Sequence, residues 1–451
     1  MREKLEKWGI SWGVVIPILW MLRIASRGLG YWFSPDAAMS QDNADQLNGT
    51  PVDRNFFIVL EFLGIIILIS RQINWGEFFK RNKIVIILFI YMGISVLWSD
   101  FPDVSLRRWF RGIGDLIMVL VLLTELNYTG ALVRFFRIST LFLIVVSVFF
   151  IKYYRELGVS YEGSIEMWVG VTTHKNSLGQ LACVAAFFFT WVLISKYYKF
   201  KLWDIPVFLM AMWLLNGSST SISRTSMGVY ISAVAVLVLL RLLKKNVTAI
   251  RVIVSALVFT FALGSFFTVY FYHMGLIPWI AGVTGGDPTL TGRTQLWDAL
   301  LEIGSKRWLQ GAGYGGFWLG SLGNDLWEQF VWHPNQAHDG YIDVYVELGL
   351  IGLILLGIYI IVTYRDILRN FAFDSDYGRF RMTILTMVII YNVTESSFCK
   401  PTTILWFLFL LISIKMPHPY PEGELGMEKK EKPKSVKKTN RIKRQVVYDK
   451  V

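Results

Sequence analysis

Long apolar stretches, separated by short polar segments, run along most of the chain. Each is about 20 residues long, which is the length an α-helix needs to cross a hydrocarbon core of about 30 Å. They begin near Ile10, Phe56, Val85, Gly112, Arg137, Ser177, Trp203, Ser226, Val252, Tyr341, Met382 and Thr402. The pattern predicts an all-α polytopic membrane protein with about twelve transmembrane helices.

The composition agrees with a membrane protein. Hydrophobic residues make up 54% of the chain and charged residues only 17%, a balance typical of proteins whose surface faces lipid. The two cysteines, Cys183 and Cys399, fall in or beside apolar stretches. We therefore expect buried small side chains and no redox pair.

The short basic segments predict the orientation of the spans, because Lys and Arg are retained on the cytoplasmic side. They alternate with the apolar stretches as follows: Arg2, Lys4 and Lys7; Arg71, Lys80, Arg81 and Lys83; Lys196, Lys199 and Lys201; Arg241, Lys244, Lys245 and Arg251; Arg365, Arg369, Arg379 and Arg381. An even number of spans then puts both termini in the cytoplasm. Arg23 and Arg27 follow the first apolar stretch without a small-residue cleavage site, which indicates an uncleaved span.

The chain divides into a transmembrane domain over residues 1–416 and a basic tail over residues 417–451. We expect the tail to be disordered and to act as a determinant of topology and lipid-surface contact. Nucleic-acid binding is the alternative reading of such a basic run, and we do not favour it.

The largest predicted outer loop runs over residues 273–340 and precedes the tenth span. It is too long for a simple connector, and Leu296, Leu300 and Ile303 recur at helical spacing within it. The loop also carries the aromatic residues Trp308, Phe317, Trp318, Trp327 and Trp332. Contact with the membrane interface is the role we favour for them, and stacking on sugar rings is the alternative.

Polar residues at the predicted outer face are mostly cationic. They comprise His174-Lys175-Asn176, the segment 216–225 with Arg224, the segment 98–108 with Arg107 and Arg108, Arg293 and His338. Positive residues on this side oppose the usual charge bias, so each has a cost unless an anion is bound there. A solvated or ion-paired surface role remains the alternative for any single arginine.

Two further patterns have simpler interpretations than the chemistry they suggest. Residues 311–316 satisfy a GxGxxG pattern, but no strand precedes them, so we expect a tight turn with close backbone approach and no dinucleotide site. His174, His333 and His338 lack a carboxylate or thiol at ligand spacing, which argues against a metal site.

The segment after His338 carries two periodic patterns on one predicted helix. Asp339, Asp343 and Glu347 share one helix face, where we favour pairing with the outer arginines over an acid/base pair. Gly349, Gly352 and Gly357 predict close helix packing.

Four motifs in order resemble the O-antigen ligase and Wzy-type polysaccharide polymerase superfamily of bacterial inner membranes. They are His174-Lys175-Asn176-Ser177-Leu178-Gly179; Ser223-Arg224-Thr225; Gly292-Arg293-Thr294-x-x-Trp297 with Gly311-x-Gly313-Tyr314-Gly315; and His338 followed by Glu347-x-Gly349-x-x-Gly352. Trp98-Ser99-Asp100 with Ser105-Leu106-Arg107-Arg108 looks most like the ExoQ-like exopolysaccharide production proteins. The resemblance covers residues 98–409.

The resemblance implies a metal-independent glycosyltransferase of the GT-C type without a cofactor. Its donor would be an undecaprenyl-pyrophosphate-linked oligosaccharide. Arg224 and Arg293 would bind the pyrophosphate, with Arg108 and Lys175 adding contacts, because guanidinium groups match phosphate oxygens. His338 would take the proton of an acceptor hydroxyl as general base. His174, Asn176 and Glu347 would support the site.

The acceptor separates two versions of this enzyme. A polymerase would join lipid-linked repeat units on the periplasmic face, and it is the version we favour from the ExoQ-like segment. A ligase would transfer the finished glycan to lipid A core or protein. A transporter or flippase for lipid-linked glycans is the alternative from another class, for which midplane charges would be expected, and Glu61 and Arg23 are the sparse candidates. A chain-length regulator and a flippase are the expected partners.

Overall fold

The computed structural model describes residues 12–33, 50–163, 165–195, 198–218, 223–242, 274–275, 292–330, 334–370 and 375–416. Their secondary structure is mostly helical. The predicted span near Val252, most of the first part of the outer loop and the basic tail lie outside the described residues, as do His333 and Trp332.

The described helices follow the apolar pattern of the sequence. In chain order they are α1 (Trp12–Ile24), α2 (Leu29–Phe33), α3 (Pro51–Ile69), α4 (Trp75–Arg81), α5 (Lys83–Ile94), α6 (Pro102–Leu123), α7 (Tyr128–Tyr153), α8 (Arg155–Gly158), α9 (Lys175–Ile194), α10 (Asp204–Asn216), α11 (Arg224–Leu242), α12 (Arg293–Ser305), α13 (Gly320–Gln329), α14 (Gly340–Asn370), α15 (Ser375–Tyr391) and α16 (Ile404–Ser413). A short 3₁₀ helix, Ser95–Trp98, joins α5 to α6.

Four of the described helices are long and apolar enough to cross a membrane: α7, α9, α11 and α14. The α4–α5 pair, bent by 86°, makes a fifth if it is one broken span. These helices indicate a multi-pass helical membrane protein. We compared the predicted first residue of each span with the first residue of a described helix. The two differ by no more than about ten residues for every span except the one near Val252, which lies outside the described residues.

The hydrophobic core is built around α9, which packs against α10 and α11 while α11 packs against α15. Phe187, Phe188 and Phe189 on α9 are each at most 1% exposed. Three consecutive buried side chains on one helix require neighbours on several sides, because successive helical residues point about 100° apart. By contrast, Phe62 and Ile69 on α3 are largely exposed, which fits a lipid-facing surface.

One small β-hairpin departs from the predicted all-α fold. Strands β1 (Val159–Glu162) and β2 (Ile165–Trp168) pair antiparallel directly after α8. Four residues is the shortest length at which apolar alternation indicates a strand, and the sequence pattern did not reveal these two. The hairpin ends at the turn that leads into α9.

Helix α6 begins earlier than its apolar stretch indicates. The predicted span started near Gly112, but the helix starts at Pro102, with Asp103 in its first turn. Proline is suited to the first helical turn because its missing N–H has no intrahelical partner there, and an acidic residue complements the helix dipole. Arg107 and Arg108 therefore lie on the helix and not in a loop, which corrects their predicted position.

Helix α14 is broken at Gly349, where φ is 66° and ψ is −167°. The loop at residues 308–313 runs beside the break: Leu350 N donates to Trp308 O at 2.8 Å, and Gly313 N donates to Glu347 O at 2.9 Å. A Cβ on Gly311 would lie 2.4 Å from the Glu347 backbone. The expectation of a tight turn with close backbone approach at the GxGxxG pattern is therefore confirmed.

The predicted close helix packing at the α14 glycines is wrong. A Cβ on Gly349 would meet the carbonyl of a loop residue, Leu309, and not a second helix. A Cβ on Gly352 would meet Leu348 of its own helix, and Gly357 has nothing within 4 Å. Gly349 is needed for the left-handed conformation at the break, which a sequence pattern of small residues does not distinguish from packing.

Candidate functional site

Glu395 is the centre of the polar cluster that contains His338. Its Oε1 accepts from Asn176 Nδ2 at 2.7 Å and lies 3.6 Å from Arg293 Nη2. Its Oε2 lies 3.3 Å from His338 Nδ1 and 3.4 Å from Gln336 Nε2. Three of the predicted site residues, which lie far apart in the chain, therefore meet at one carboxylate.

The turn after α15 presents Glu395 through a set of hydrogen bonds centred on Asn392. Asn392 Oδ1 accepts from the amides of Ser397 and Phe398, at 2.9 and 3.0 Å. Its carbonyl accepts from Gly340 N at 2.8 Å, and a Cβ on Gly340 would lie 2.0 Å from Asn392 Oδ1. The glycine at the start of α14 thus allows two backbones to meet beside Glu395.

His338 is held in a left-handed backbone conformation, with φ of 52°. Both backbone polar groups of the preceding residue, Ala337, are hydrogen-bonded: Trp297 Nε1 donates to its carbonyl at 2.8 Å, and its amide donates to Asp343. The following residue, Asp339, caps α14 by accepting from the amides of Tyr341 and Ile342. This conformation is uncommon for a residue with a side chain, and the surrounding hydrogen bonds maintain it.

The electrostatics of the cluster favour an ionised Glu395. Burial by itself would raise the pKa of this carboxyl group. The hydrogen bond with His338 and the positive charges of His338, Arg293 and His174 outweigh burial, so its pKa is lowered from the ordinary value of 4.5. An anionic oxygen facing His338 Nδ1 favours the proton on Nδ1 and therefore a lone pair on Nε2.

The heads of α9 and α11 lie side by side next to this cluster. A Cβ on Gly179 of α9 would come 2.6 Å from Ser223 Cβ, directly before Arg224. His174 caps α9 by accepting from Asn176 N at 3.2 Å. Its positive charge also helps to lower the pKa of Glu395. Lys175 is half-buried and Arg224 exposed. The structure thus brings the His174–Asn176 motif, the Arg224 motif and the His338 cluster to the same end of the helices.

Arg108 and Glu347 meet at the glycine loop of residues 311–316. Arg108 donates to the Gly315 carbonyl and lies close to the Glu347 charge. Glu347 Oε2 accepts from Gly315 N at 3.1 Å. These two residues hold the glycine loop against α6 and α14, and pyrophosphate binding by Arg108 stays a prediction.

The carboxylate stripe on α14 does not pair with outer arginines in the predicted manner. Asp343 forms an ion pair with Lys400 at 2.8 Å and accepts from Trp318 Nε1. Asp339 is a helix cap, and only Glu347 lies near an arginine. The spacing of the three carboxylates correctly placed them on one helix face. The ion-pair partner of Asp343, however, is Lys400, which follows α15 in the chain.

The loop aromatics have mixed environments. Phe317 and Trp318 are only 2% and 4% exposed, which rules out the predicted interface role for these two. Trp308 is 54% exposed, whereas Trp327 Nε1 donates to the Pro334 carbonyl. Helix α12 forms with Leu296 and Leu300 buried, as its spacing predicted. The two cysteines are buried and free, which confirms that expectation.

Glu395 is the residue that sequence reasoning missed. It lies in the polar segment Asn392–Lys400, between two apolar stretches at the predicted outer face. A carboxylate at the edge of a membrane span is costly unless it has a function or a partner, and that signal was available. Asn392 and Gln336 carried no such signal, because uncharged amides are common in loops.

Two comparisons show which known proteins the chain is similar to. Residues 209–357 match the family described as O-antigen ligase, a range that includes Arg224, Arg293 and His338. The exopolysaccharide production protein ExoQ of Rhizobium meliloti (strain 1021) is 29% identical over 288 residues, which are 61% of this chain and 62% of that protein. The match thus spans about 62% of the length of this relative. Residues 209–357 of the chain are thus similar to the O-antigen ligase family, and the chain is similar to an exopolysaccharide production protein, in line with the resemblance of the four motifs.

Proposed function

We propose that this protein is a polysaccharide polymerase of the bacterial inner membrane. It joins undecaprenyl-pyrophosphate-linked repeat units into exopolysaccharide on the periplasmic face, with both termini in the cytoplasm. The observation that carries the proposal is the contact of His338 Nδ1 with Glu395 in a cluster that also holds Arg293. A histidine held by a carboxylate, beside an arginine, combines a general base with an anion-binding group.

The proposed reaction is a displacement at the anomeric carbon of the donor. An acceptor hydroxyl oxygen forms the new glycosidic bond while the bond between that carbon and the pyrophosphate oxygen breaks. His338 Nε2 takes the hydroxyl proton and later releases it to water, and Glu395 stabilises the imidazolium. Arg293 and Arg224 neutralise the charge on the departing pyrophosphate, with Lys175 at the adjoining helix head. Inversion at the anomeric carbon follows from direct displacement.

This mechanism invokes no metal ion, because guanidinium groups bind the leaving group. Donor and acceptor are both lipid-linked in a polymerase, so the bilayer delivers both to the same outer face. The GT-C-type fold, a flippase that supplies the repeat units and a chain-length regulator belong to the same proposal. The match to a polysaccharide-production protein supports it.

An O-antigen ligase is the second candidate, because the matched family carries that description. The two reactions share donor and leaving group, and the same His338 and arginines would serve both. They differ in the acceptor, which is a lipid-linked repeat unit for the polymerase and lipid A core or protein for the ligase. The difference is therefore visible in the product that accumulates.

A deletion strain complemented with wild type or His338→Ala tests the proposal. Membrane levels are matched, and surface polysaccharide and lipid-linked intermediates are sized. His418→Ala, in the predicted cytoplasmic tail, is the matched control. We expect His338→Ala to leave single repeat units on the carrier, because the loss of a general base lowers the rate by about 10²–10⁴.

Two other results would change the conclusion. If His338→Ala still makes long polymer that stays on the lipid carrier, the protein is a ligase. If surface polymer is unchanged in length and amount, His338 is not the base. Lipid-linked units that accumulate only on the cytoplasmic side would instead indicate transport.

A further inference from the structure

Arg27 is a buried arginine just beyond the end of α1. Its side chain is 6% exposed, and its Nε donates to the Thr172 carbonyl at 2.8 Å. Its backbone amide donates to the Val171 carbonyl at 2.9 Å. Nη1 is buried, and the described residues offer it no hydrogen-bond partner. The guanidinium also lies over the Tyr31 ring, 4.7 Å from its centroid.

These contacts put the Arg27 guanidinium against the turn that leads into α9. Thr172 Oγ1 bonds to the carbonyl of His174, the residue that caps α9. The 20-residue α9 directs the positive end of its dipole at this turn. Arg27 therefore adds a full buried charge directly behind the positive end of the helix.

Arg27 and Lys175 lie at this turn, and Arg224 lies at the neighbouring head of α11. Within the described ranges, neither Arg27, Lys175 nor Arg224 has an ion pair with a carboxylate. The nearby Glu395 is already shared by Arg293, His338 and Asn176. A guanidinium kept charged in a buried position without a carboxylate is unfavourable by itself. A bound anion would offset that cost.

Arg293 and the head of α9 are close enough to bind one ligand. Arg293 Nη2 and Asn176 Nδ2 lie 3.6 and 2.7 Å from the same Glu395 oxygen. Two nitrogens this close to one oxygen are near enough to each other for a single pyrophosphate to contact both. Arg293 and the α9 head are therefore placed to contact the same pyrophosphate.

We propose that Arg27 is a positioning residue for the donor's pyrophosphate: it holds the turn before α9 and supplies a buried positive charge to the phosphate group bound at the α9 head. The inference rests on the proposed function, because that function supplies the pyrophosphate. It adds α1 to the site and separates anion binding, at Arg27, from proton transfer, at His338.

Binding of glycan-free undecaprenyl pyrophosphate to the full chain in nanodiscs tests the inference. The dissociation constant is measured by isothermal titration at several salt concentrations for wild type, Arg27→Gln and Arg27→Lys. Arg54→Gln is the matched control, because Arg54 is an exposed arginine in the first turn of α3. Steady-state rates with the glycan-bearing donor provide KM and kcat separately.

We expect Arg27→Gln to raise both the dissociation constant and the donor KM about tenfold, the effect of losing one favourable charge interaction. The value of kcat and its pH profile stay close to wild type, because His338 and Glu395 are unchanged. Arg27→Lys retains the charge but loses the hydrogen bond of Nε to Thr172 and the stacking on Tyr31, so its dissociation constant lies between those of wild type and Arg27→Gln. Arg54→Gln binds as wild type does. The binding of Arg27→Gln also becomes less dependent on salt.

The role of Arg27 and the proposed function would be contradicted by different results. If wild type binds the carrier pyrophosphate and Arg27→Gln binds it equally well, the role of Arg27 is wrong and the proposed function stands. If Arg27→Lys and Arg27→Gln both lower kcat and thermal stability without changing binding, Arg27 is purely structural. If wild type does not bind the carrier pyrophosphate, the proposed function itself is wrong.

Discussion

The substitution Glu395→Gln tests the central contact of the site. It keeps the shape of the side chain and an oxygen that can accept from Asn176, but it removes the negative charge that faces His338 Nδ1 at 3.3 Å. An amide can also present its NH₂ group to Nδ1, which would favour the wrong tautomer. We therefore expect proton transfer to suffer more than donor binding.

The magnitude follows from the geometry. Two unit charges separated by 3.3 Å interact by about 5 kcal/mol at an effective dielectric constant of about 20. The side chains of His338 and Glu395 are 19% and 13% exposed, and Arg293 shares the same carboxylate, so screening reduces this value. We expect about 2–4 kcal/mol of lost transition-state stabilisation, which corresponds to a fall in kcat of about 30- to 1000-fold.

The assay is polymer formation by purified protein with lipid-linked repeat units, from which kcat and donor KM are obtained. Glu395→Asp is the charge-retaining comparison, and it keeps part of the activity. Glu77→Gln is the matched control: Glu77 forms an exposed i,i+4 pair with Arg81, and such a pair contributes little. A Glu395→Gln protein with wild-type kcat would refute the role of this carboxylate. Equal losses in Glu395→Gln and Glu77→Gln would show a nonspecific effect.

Two further predictions follow from the same cluster. Gly340→Ala places a Cβ 2.0 Å from Asn392 Oδ1, so we expect it to lower the free energy of unfolding by about 1–3 kcal/mol and to remove most of the activity. Gly357→Ala is the control, because its Cβ would meet nothing within 4 Å, and it changes little. Thermal unfolding and the polymer assay measure both variants, and equal stability of the two would contradict the prediction. The pKa of Glu395 lies below 4.5, so its contribution to activity is fully present above the ordinary carboxyl range and is lost only as pH falls through the lowered pKa. In a plot of kcat against pH, the fall that is caused by protonation of Glu395 should therefore lie below about pH 4.5, and it should be missing in Glu395→Gln. A fall from this cause at higher pH would show that burial raises the pKa of Glu395 more than its positive neighbours lower it.

Local features of the fold were predictable from the sequence because their causes are local. A run of about 20 apolar residues has the length and the self-satisfied hydrogen bonds of a membrane helix wherever it occurs. The spacing of Leu296 and Leu300 predicted α12, which forms with both residues buried. The glycines at positions 311 and 313 predicted a tight turn, and both have positive φ. The resemblance to a known family also rested on such local motifs.

The assembly of the candidate site was decided by tertiary structure. Asn176 and Glu395 are 219 residues apart in the chain, and His338 and Glu395 are 57 apart. The packing of α9, α14 and α15 determines which polar groups meet, and apolar helix surfaces leave that pairing open in the sequence. The same packing brings Arg108 to the Gly315 carbonyl, 207 residues further along the chain.

The sequence alone therefore determined that the chain forms apolar helices, that cationic residues gather at the predicted outer ends of those helices, and which motifs resemble a family of glycan-joining enzymes. Only the tertiary structure decided that Glu395 holds His338, that Lys400 pairs with Asp343, and that Arg27 lies behind the head of α9. The physical reason is one of range. Helix formation depends on neighbours a few residues away, whereas a buried charge takes as its partner whichever group the packed helices bring within about 3–4 Å.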